Sequence, residues 1–184
     1  MTKYLLIFLL LICVNLSAEP RSRPDNWATP IVETSLENLH RVDKNIYRSS
    51  QPEAKDISDL KSLGIKEILN LRYFHNNNGD IKDAKFDLHR VPMNTFNVSE
   101  EDLIQALKIL QNRKGPILVH CWHGSDRTGT TIAAYRIIFN NWSKQQALDE
   151  MINGGFGYHS SIFPNLPTLI EQLDVAKIRK DLGL

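Results

Sequence analysis

The sequence has little of what marks the more unusual classes of protein. Its 184 residues include only two cysteines, and its 22 basic and 21 acidic side chains nearly cancel. No internal repeat or low-complexity segment occurs, and hydrophobic residues make up 42% of the chain, which excludes a disordered or fibrous polymer. The balanced charge gives no indication of binding to nucleic acid or anionic lipid. What remains is a globular chain with room for a single domain and a hydrophobic core.

One long apolar run occurs, over residues 4–14. It follows Lys3 and leads into polar and small residues up to Ala18, the order that is typical of a secretory signal. We expect a signal peptide over residues 1–18, cleaved after Ala18, and a protein that is exported to the periplasm or secreted. Leu16 is a poor residue three places before that cut, so an uncleaved membrane anchor stays open, although about a dozen apolar residues is short for a span.

Cleavage after Ala18 would leave a chain with a single thiol. It would remove Lys3 and Cys13, so that 21 basic residues would balance 21 acidic ones and Cys121 would be the only cysteine. In an oxidising compartment this cysteine has no intramolecular partner for a disulfide. A lone cysteine in an exported protein favours a reactive role over a structural one.

The rest of the chain alternates strand and helix signals. Residues 19–44, which begin with a proline-containing stretch, are predicted to be an N-terminal leader, and residues 45–184 the domain. Strands are predicted at residues 45–48, 65–71, 87–93 and 117–119, and helices at 50–63, from 99 to a break at 115–116, and at about 128–140, 143–153 and 165–180. Strands separated by helices predict an α/β fold.

The segment that carries the chemistry lies between a predicted buried strand and a predicted helix. Residues 120–129 read His-Cys-Trp-His-Gly-Ser-Asp-Arg-Thr-Gly. A loop that ends a strand and begins a helix points several backbone N–H groups at one spot, and the helix N-terminus adds positive charge there. This arrangement predicts a phosphate site, in which Arg127, six residues after Cys121, holds two phosphate oxygens with its planar guanidinium.

Cys121 is the predicted nucleophile of this site. The same positive field favours its thiolate form, which is the reactive one. Thr128 can donate its hydroxyl to the sulfur when the cysteine leaves, and His120 is predicted to orient the loop. The alternative is a buried structural cysteine with Arg127 in a surface ion pair.

With these motifs the sequence resembles the cysteine-dependent protein tyrosine phosphatase superfamily, and most closely its small bacterial and plant-type dual-specificity members. The likeness covers roughly residues 45–175, with further matching motifs at residues 47–52, 64–72 and 142–151. It implies a central, mainly parallel sheet flanked by helices in three layers, and hydrolysis of phosphomonoesters through phosphocysteine without a metal or cofactor. The implied partner is a phosphorylated protein or a small phosphoester, with no nucleic acid and no membrane beyond an uncleaved anchor.

The sequence departs from this family at the general acid. Most members carry an Asp on a loop about thirty residues before the cysteine, where it protonates the leaving oxygen. Here Asn94 stands in that loop, and an amide cannot give up a proton. Asp126 is the favoured substitute and Asp87 the second choice, while an Asp126 that only orders the loop is the third possibility.

Other residues of the loop are predicted to contact the substrate, namely Trp122, His123, Gly124 and Ser125. Trp122 and His123 could instead only shape the rim. A helix stop is the favoured interpretation of residues 154–159, and a role at the pocket edge is the alternative. Likewise Arg48 and Arg72 are interpreted as surface or ion-pair arginines, with bracing of the loop as the alternative.

The leading hypothesis is a tyrosine or dual-specificity protein phosphatase. A phosphoinositide or inositol-phosphate phosphatase is the alternative among enzymes, although the imidazole of His123 is a weaker anion trap than the lysine that lipid-directed relatives often carry there. A phosphate-binding module with little turnover is the third hypothesis, because the acid loop lacks its Asp.

Overall fold

The structure is a computed structural model that describes residues 23–76, 81 and 84–184. The predicted signal peptide and Cys13 lie outside the described residues. In the described part of the chain, no helix is both long enough and apolar enough to cross a membrane.

Among the residues that the structure describes, six strands form a central sheet. Its strands are β1 (Thr29–Pro30), β2 (His40–Arg41), β3 (Ile46–Ser49), β4 (Glu67–Arg72), β5 (Asp87–Met93) and β6 (Ile117–His120), in the spatial order β1-β2-β3-β6-β4-β5. The first two strands pair antiparallel, whereas β3, β6, β4 and β5 run parallel. The predicted, mainly parallel sheet is therefore confirmed, and the carboxyl ends of four strands meet at one edge.

Six α-helices of the described part of the chain surround the sheet. They are α1 (Ile57–Ser62), α2 (Glu100–Asn112), α3 (Asp126–Phe139), α4 (Lys144–Asn153), α5 (Asn165–Gln172) and α6 (Val175–Asp181). Ser99 and Ser143 begin α2 and α4, because each side chain accepts a hydrogen bond from the backbone N–H three residues later. The single helix predicted at 165–180 is two helices, because Leu173 leaves the helical conformation and Asp174 caps a new start.

The helix predicted from residue 50 begins later. Residues 50–53 are not helical, and a 3₁₀ turn at Ala54–Asp56 leads into α1. Gly64 ends the segment as predicted, with a φ of +72° that glycine adopts without strain.

Alternate residues of the central strands face two separate cores. In β4, Leu69 and Leu71 pack toward α2–α6, while Ile68 packs toward α1. In β6, Val119 belongs to the same core as Leu69, and Leu118 to the same core as Ile68. Both faces of the sheet are thus covered, which confirms the three-layer fold.

The predicted leader is corrected by the structure, because residues 23–44 belong to the folded domain. They supply β1 and β2 and bury apolar side chains, namely Trp27, Ala28, Leu36, Leu39 and Val42. The backbone N–H of Ala28 also donates to Glu150 Oε1 (2.6 Å), a carboxylate that pairs with Arg136 inside the molecule (2.8 Å). The sequence did not predict that residues 23–44 pack on the domain, because their buried apolar side chains are widely spaced.

Candidate active site

Residues 121–125 connect β6 to α3 at the centre of the sheet, where β6 lies between β3 and β4. Gly124 lets this loop pass directly against β3. Its φ is +73°, and a Cβ there would stand 2.4 Å from the carbonyl carbon and oxygen of Ser49. Only glycine fits, because the left-handed conformation and the close approach of two backbones each exclude a side chain.

The carbonyl groups of residues 121–124 all accept hydrogen bonds from behind the loop. The donors, in order, are His120 Nδ1 (3.0 Å), Gln51 N (2.8 Å), Asn38 Nδ2 (2.8 Å) and Arg48 Nη2 (2.7 Å). In a planar trans peptide the following N–H points away from the carbonyl, so the N–H groups of residues 122–125 face the opposite side. They form a concave set of donors that suits an anion.

Cys121 lies at the first position of this loop. Its side chain is a buried free thiol, 1% exposed. The buried Arg48 guanidinium interacts electrostatically with the Cys121 side chain, and the N-terminus of α3 adds positive charge on the same side. The Thr128 hydroxyl is buried and has no hydrogen-bond partner among the described residues.

Arg127 lies in the first turn of α3, directly after the loop, and it borders an open cleft. Its Nη1 donates to Met93 O (3.4 Å), while its Nε is buried and has no partner in the described part of the chain. The cleft has a volume of about 360 Å³ and contains most of the exposed aromatic side chains of this surface, namely Tyr73, Phe74, Phe96 and Trp122. The structure therefore places Arg127 beside an aromatic-walled opening.

Trp122 separates this cleft from a second one. The second cleft has a volume of about 530 Å³ and is lined by Gln51, Glu53, Ala54, Lys55, Arg72, His75 and Trp122. The Arg72 guanidinium lies 4.3 Å from the centroid of the Trp122 ring, a cation–π contact between two side chains of the rim. Two openings of different character thus meet at one rim.

Arg48 is not a surface arginine, and the favoured interpretation of it is wrong. Its side chain is buried, lies 3.6 Å from the centroid of the Phe156 ring, and braces the loop at Gly124 O. Burial lowers the pKa of Arg48 to about 10, which still leaves it charged at neutral pH. Arg72, in contrast, lies at the rim.

His120 is completely buried below Cys121. Burial lowers the pKa of His120 to about 4, so the ring is neutral at physiological pH. A neutral ring with its proton on Nδ1 donates to Cys121 O, which places His120 where it can orient the first peptide of the loop.

Asn94 and the two carboxylates considered for the acid role, Asp87 and Asp126, lie in different places. Asn94 directly follows β5 and lines the aromatic cleft with Arg127, with its Oδ1 accepting from Phe96 N (3.2 Å). Asp87 begins β5, at the opposite edge of the sheet and roughly 20 Å along the strand from the loop. Asp126 begins α3, and its buried carboxylate accepts from the backbone N–H of His159 (3.0 Å) and from His159 Nδ1 (2.9 Å).

The other predicted contact residues divide between the rim and the back of the loop. Trp122 and His123 are exposed, whereas Gly124 and Ser125 are buried. The Ser125 hydroxyl donates to Phe156 O (2.7 Å), so only its backbone N–H faces an anion. Residues 154–159 are therefore more than a helix stop, because this segment supports the loop from below and from the side.

Asn38 supports the loop without having been predicted from the sequence, and Phe156 belongs to the 154–159 segment, for which a role at the pocket edge was only the alternative. Asn38 donates to both His123 O and Phe156 O, and Phe156 stacks on Arg48. Asn38 belongs to no motif, so no local signal could have identified it. Within residues 23–76, 81 and 84–184, no group of three or more His, Cys, Asp or Glu side chains is placed to hold a metal ion.

Comparison with known proteins agrees with this geometry. Residues 34–159 match the tyrosine phosphatase family. The dual specificity protein phosphatase TpbA of Pseudomonas aeruginosa is 36% identical over 143 residues, which cover 77% of this chain and 63% of that protein. An inositol diphosphatase of Arabidopsis thaliana is 32% identical over 123 residues, 61% of either chain. The chain thus spans about three fifths of the length of these curated relatives.

The same similarity holds in three dimensions. The crystal structure of a Cys-to-Ser variant of P. aeruginosa TpbA in complex with pTyr superimposes with a TM-score of 0.79 at 30% sequence identity. The superposition covers 88% of this chain and 99% of that one.

Proposed function

The chain belongs to the tyrosine phosphatase family, and from this membership and the geometry of its loop we propose that it hydrolyses phosphomonoesters through a phosphocysteine intermediate. The observation behind this proposal is that the carbonyl groups of residues 121–124 are hydrogen-bonded on one side of the loop. The four following N–H groups therefore point to the other side, toward the space above a buried thiol. Inorganic phosphate and phosphate esters are the anions that such a set of donors accommodates best.

The proposed reaction has two steps. Cys121 Sγ attacks phosphorus, the S–P bond forms, and the ester P–O bond breaks with its electron pair moving to the leaving oxygen, which takes up a proton. Arg127 and the N–H groups of residues 122–125 hold the three other oxygens and stabilise their charge. Water then attacks phosphorus, the S–P bond breaks, and its electron pair returns to Cys121 Sγ. The hydroxyl of Thr128 donates a hydrogen bond to this sulfur as it leaves.

We propose a phosphotyrosine substrate, with a tyrosine or dual-specificity protein phosphatase activity. Phe74, Phe96 and Trp122 are 94%, 69% and 58% exposed around the cleft that Arg127 borders. Exposed aromatic side chains at one opening suit the stacking of a phenyl ring and the burial of neighbouring peptide. The TpbA variant in complex with pTyr supports the same substrate class.

An inositol phosphate is the second candidate substrate. The adjoining cleft is lined by Lys55, Arg72 and His75, side chains that could hold a further phosphate group. Relatives named inositol diphosphatases support this candidate. A phosphate-binding module with little turnover is the remaining possibility, and only an activity measurement separates it from an enzyme.

Cys121→Ser and Arg127→Lys test the proposal on phosphotyrosyl peptides, inositol phosphates and 4-nitrophenyl phosphate. We expect Cys121→Ser to lose more than about 10³-fold in kcat while still binding vanadate, because the loop stays intact. Arg127→Lys should lose roughly 10²–10³-fold, because a lysine cannot grip two oxygens at once. A wild-type protein that binds vanadate but hydrolyses none of these compounds would be the binding module instead.

We also propose that the protein acts outside the cytoplasm. The support is the residue pattern over residues 1–18 together with a single remaining thiol. Sequencing the N-terminus of the protein from fractionated cells tests this directly. A chain that starts at Glu19 in the periplasm or medium is expected, and a cytoplasmic chain that keeps residues 1–18 would contradict it.

A further inference from the structure

The proposed reaction needs a proton donor that the usual loop does not contain. The leaving oxygen departs on the side of phosphorus opposite Cys121 Sγ, so the donor must lie at the mouth of the loop. Asn94 occupies the cleft beside Arg127, and an amide holds no transferable proton. Among the described residues that line this cleft, none is an Asp, a Glu or a His. The proton must come from another part of the rim.

Two histidines lie together at that rim. The rings of His123 and His159 are 5.5 Å apart, and the side chain of His159 is 36% exposed. The His159 ring also meets the edge of Phe163, which packs against Phe96 on the wall of the aromatic cleft. His159 therefore sits beside the loop and one side chain away from the substrate cleft.

Asp126 holds the ring of His159 in one orientation. Its carboxylate accepts from His159 Nδ1 (2.9 Å) and from the backbone N–H of the same residue (3.0 Å). The backbone N–H of His159 fixes Oδ1 as an acceptor, and a ring with its proton on Nδ1 donates to the carboxylate as well, which makes Asp126 the acceptor in both hydrogen bonds. The second ring nitrogen, Nε2, makes no hydrogen bond within the described part of the chain and is available to a substrate.

We propose that His159, oriented by Asp126, is the proton donor to the leaving oxygen in place of the acid that Asn94 replaces. The inference rests on the proposed function. In the first step the Nε2–H proton moves to the leaving oxygen and the imidazolium becomes a neutral imidazole, still bonded to Asp126 through Nδ1–H. In the second step Nε2 accepts the proton of the attacking water, which restores the imidazolium.

Leaving-group dependence distinguishes a proton donor from a structural residue. A nitrophenolate leaves without protonation, whereas an alkoxide does not. We expect His159→Gln to lower kcat/KM for an alkyl phosphate by about 10²-fold or more and for 4-nitrophenyl phosphate by less than about tenfold. The variant keeps the backbone N–H that donates to Asp126, so vanadate binding should stay normal.

His89 supplies a matched control. It pairs with the buried Glu67 (2.8 Å) and is 32% exposed at its side chain, close to the 36% of His159, but it lies in β5 outside the loop. His89→Gln should leave both substrates unchanged. Asp126→Asn should show the selectivity of His159→Gln, and the double variant should be no slower than His159→Gln alone, because the two residues act as a unit.

Each other outcome overturns the proposal. Equal slowing of both substrates by His159→Gln would make the residue structural, and an unchanged rate would remove it from the reaction. A selective loss in His123→Gln with a normal His159→Gln would move the donor to the neighbouring ring. Failure of the proposed function looks different, since the wild type would then hydrolyse neither substrate.

Discussion

Gly124 lets the loop between β6 and α3 lie so close to β3 that no side chain fits between them. Gly124→Ala would place a methyl group 2.4 Å from Ser49 O, against backbone that cannot move aside, at a φ of +73°. We expect the free energy of unfolding to fall by at least about 3 kcal/mol, because a clash adds to the strain of the left-handed conformation. The carbonyl of residue 124 should turn, and kcat/KM for an aryl phosphate should fall by about 10²-fold or more.

Gly64→Ala is the control for this substitution. Gly64 has nearly the same φ of +72°, but a Cβ there meets nothing within 4 Å. This variant should lose only about 1–2 kcal/mol, the strain of the conformation itself, and keep its activity. Urea unfolding and steady-state kinetics on both variants measure the difference, and equal behaviour would refute the close-approach argument.

At the scale of elements, Arg48 connects β3 to the loop and to residues 154–159. Arg48→Met keeps much of the volume against Phe156 but removes the donor to Gly124 O and the positive charge near Cys121. We expect a loss of about 1–3 kcal/mol in stability from the unpaired carbonyl. Turnover should fall, and alkylation of Cys121 by iodoacetamide should slow, because less positive charge then remains near the sulfur to stabilise its reactive anionic form.

Arg41→Met is the matched control for Arg48→Met. Arg41 is an exposed arginine on the neighbouring strand β2, with its guanidinium 5.6 Å from the centroid of the Tyr47 ring. Its replacement should change stability by less than about 0.5 kcal/mol and leave alkylation unchanged. If both variants alkylate at the wild-type rate, Arg48 does not act on the thiol.

A second prediction at this scale concerns the two N-terminal strands. A fragment of residues 45–184 would lose β1, β2 and the side chains of Trp27, Leu36, Leu39 and Val42, each buried in the full chain. At about 1.5–3 kcal/mol for each large apolar side chain, the loss exceeds about 5 kcal/mol, comparable to the whole stability of a domain. Circular dichroism during heating should show no cooperative transition for this fragment, in contrast to residues 23–184. A fragment that melts like the longer chain would restore the leader interpretation.

At the scale of the whole molecule, two buried histidines make the fold sensitive to acid. Burial lowers the pKa of both His40 and His120 to about 4, from a model-compound value of 6.5. Between about pH 6.5 and 4 the unfolded chain therefore binds protons at these histidines that the folded chain does not bind. The free energy of unfolding is highest above pH 6.5 and falls as the pH drops toward 4. The contribution of His120 alone is on the order of 3 kcal/mol.

Urea unfolding between pH 4 and 7.5 measures this dependence. The unfolding midpoint should fall steadily below pH 6.5 with little change above it. A midpoint that stays flat down to pH 4.5 would mean that neither ring is kept neutral by burial, and that the loop does not depend on a neutral His120.

The amino-acid sequence by itself determined the reactive segment and the order of elements. Cys121, Arg127 and Thr128 lie within ten residues between a buried strand and a helix, and the strand and helix signals are properties of short windows. The helix boundaries at Gly64, Ser99 and Ser143 could be predicted for the same reason, because a capping residue acts on backbone groups only three or four positions away.

Only the tertiary structure decided how the loop is held and which side chains meet at its rim. The hydrogen bonds from Asn38 to His123 and from Arg48 to Gly124 join residues 85 and 76 positions apart, and Asp126 meets His159 across 33 positions. Arg48 looks like a surface residue until β3 is placed beside β6, and residues 23–44 look like a leader until their apolar side chains meet the sheet. Such contacts depend on packing between distant segments, which no periodicity or short motif records.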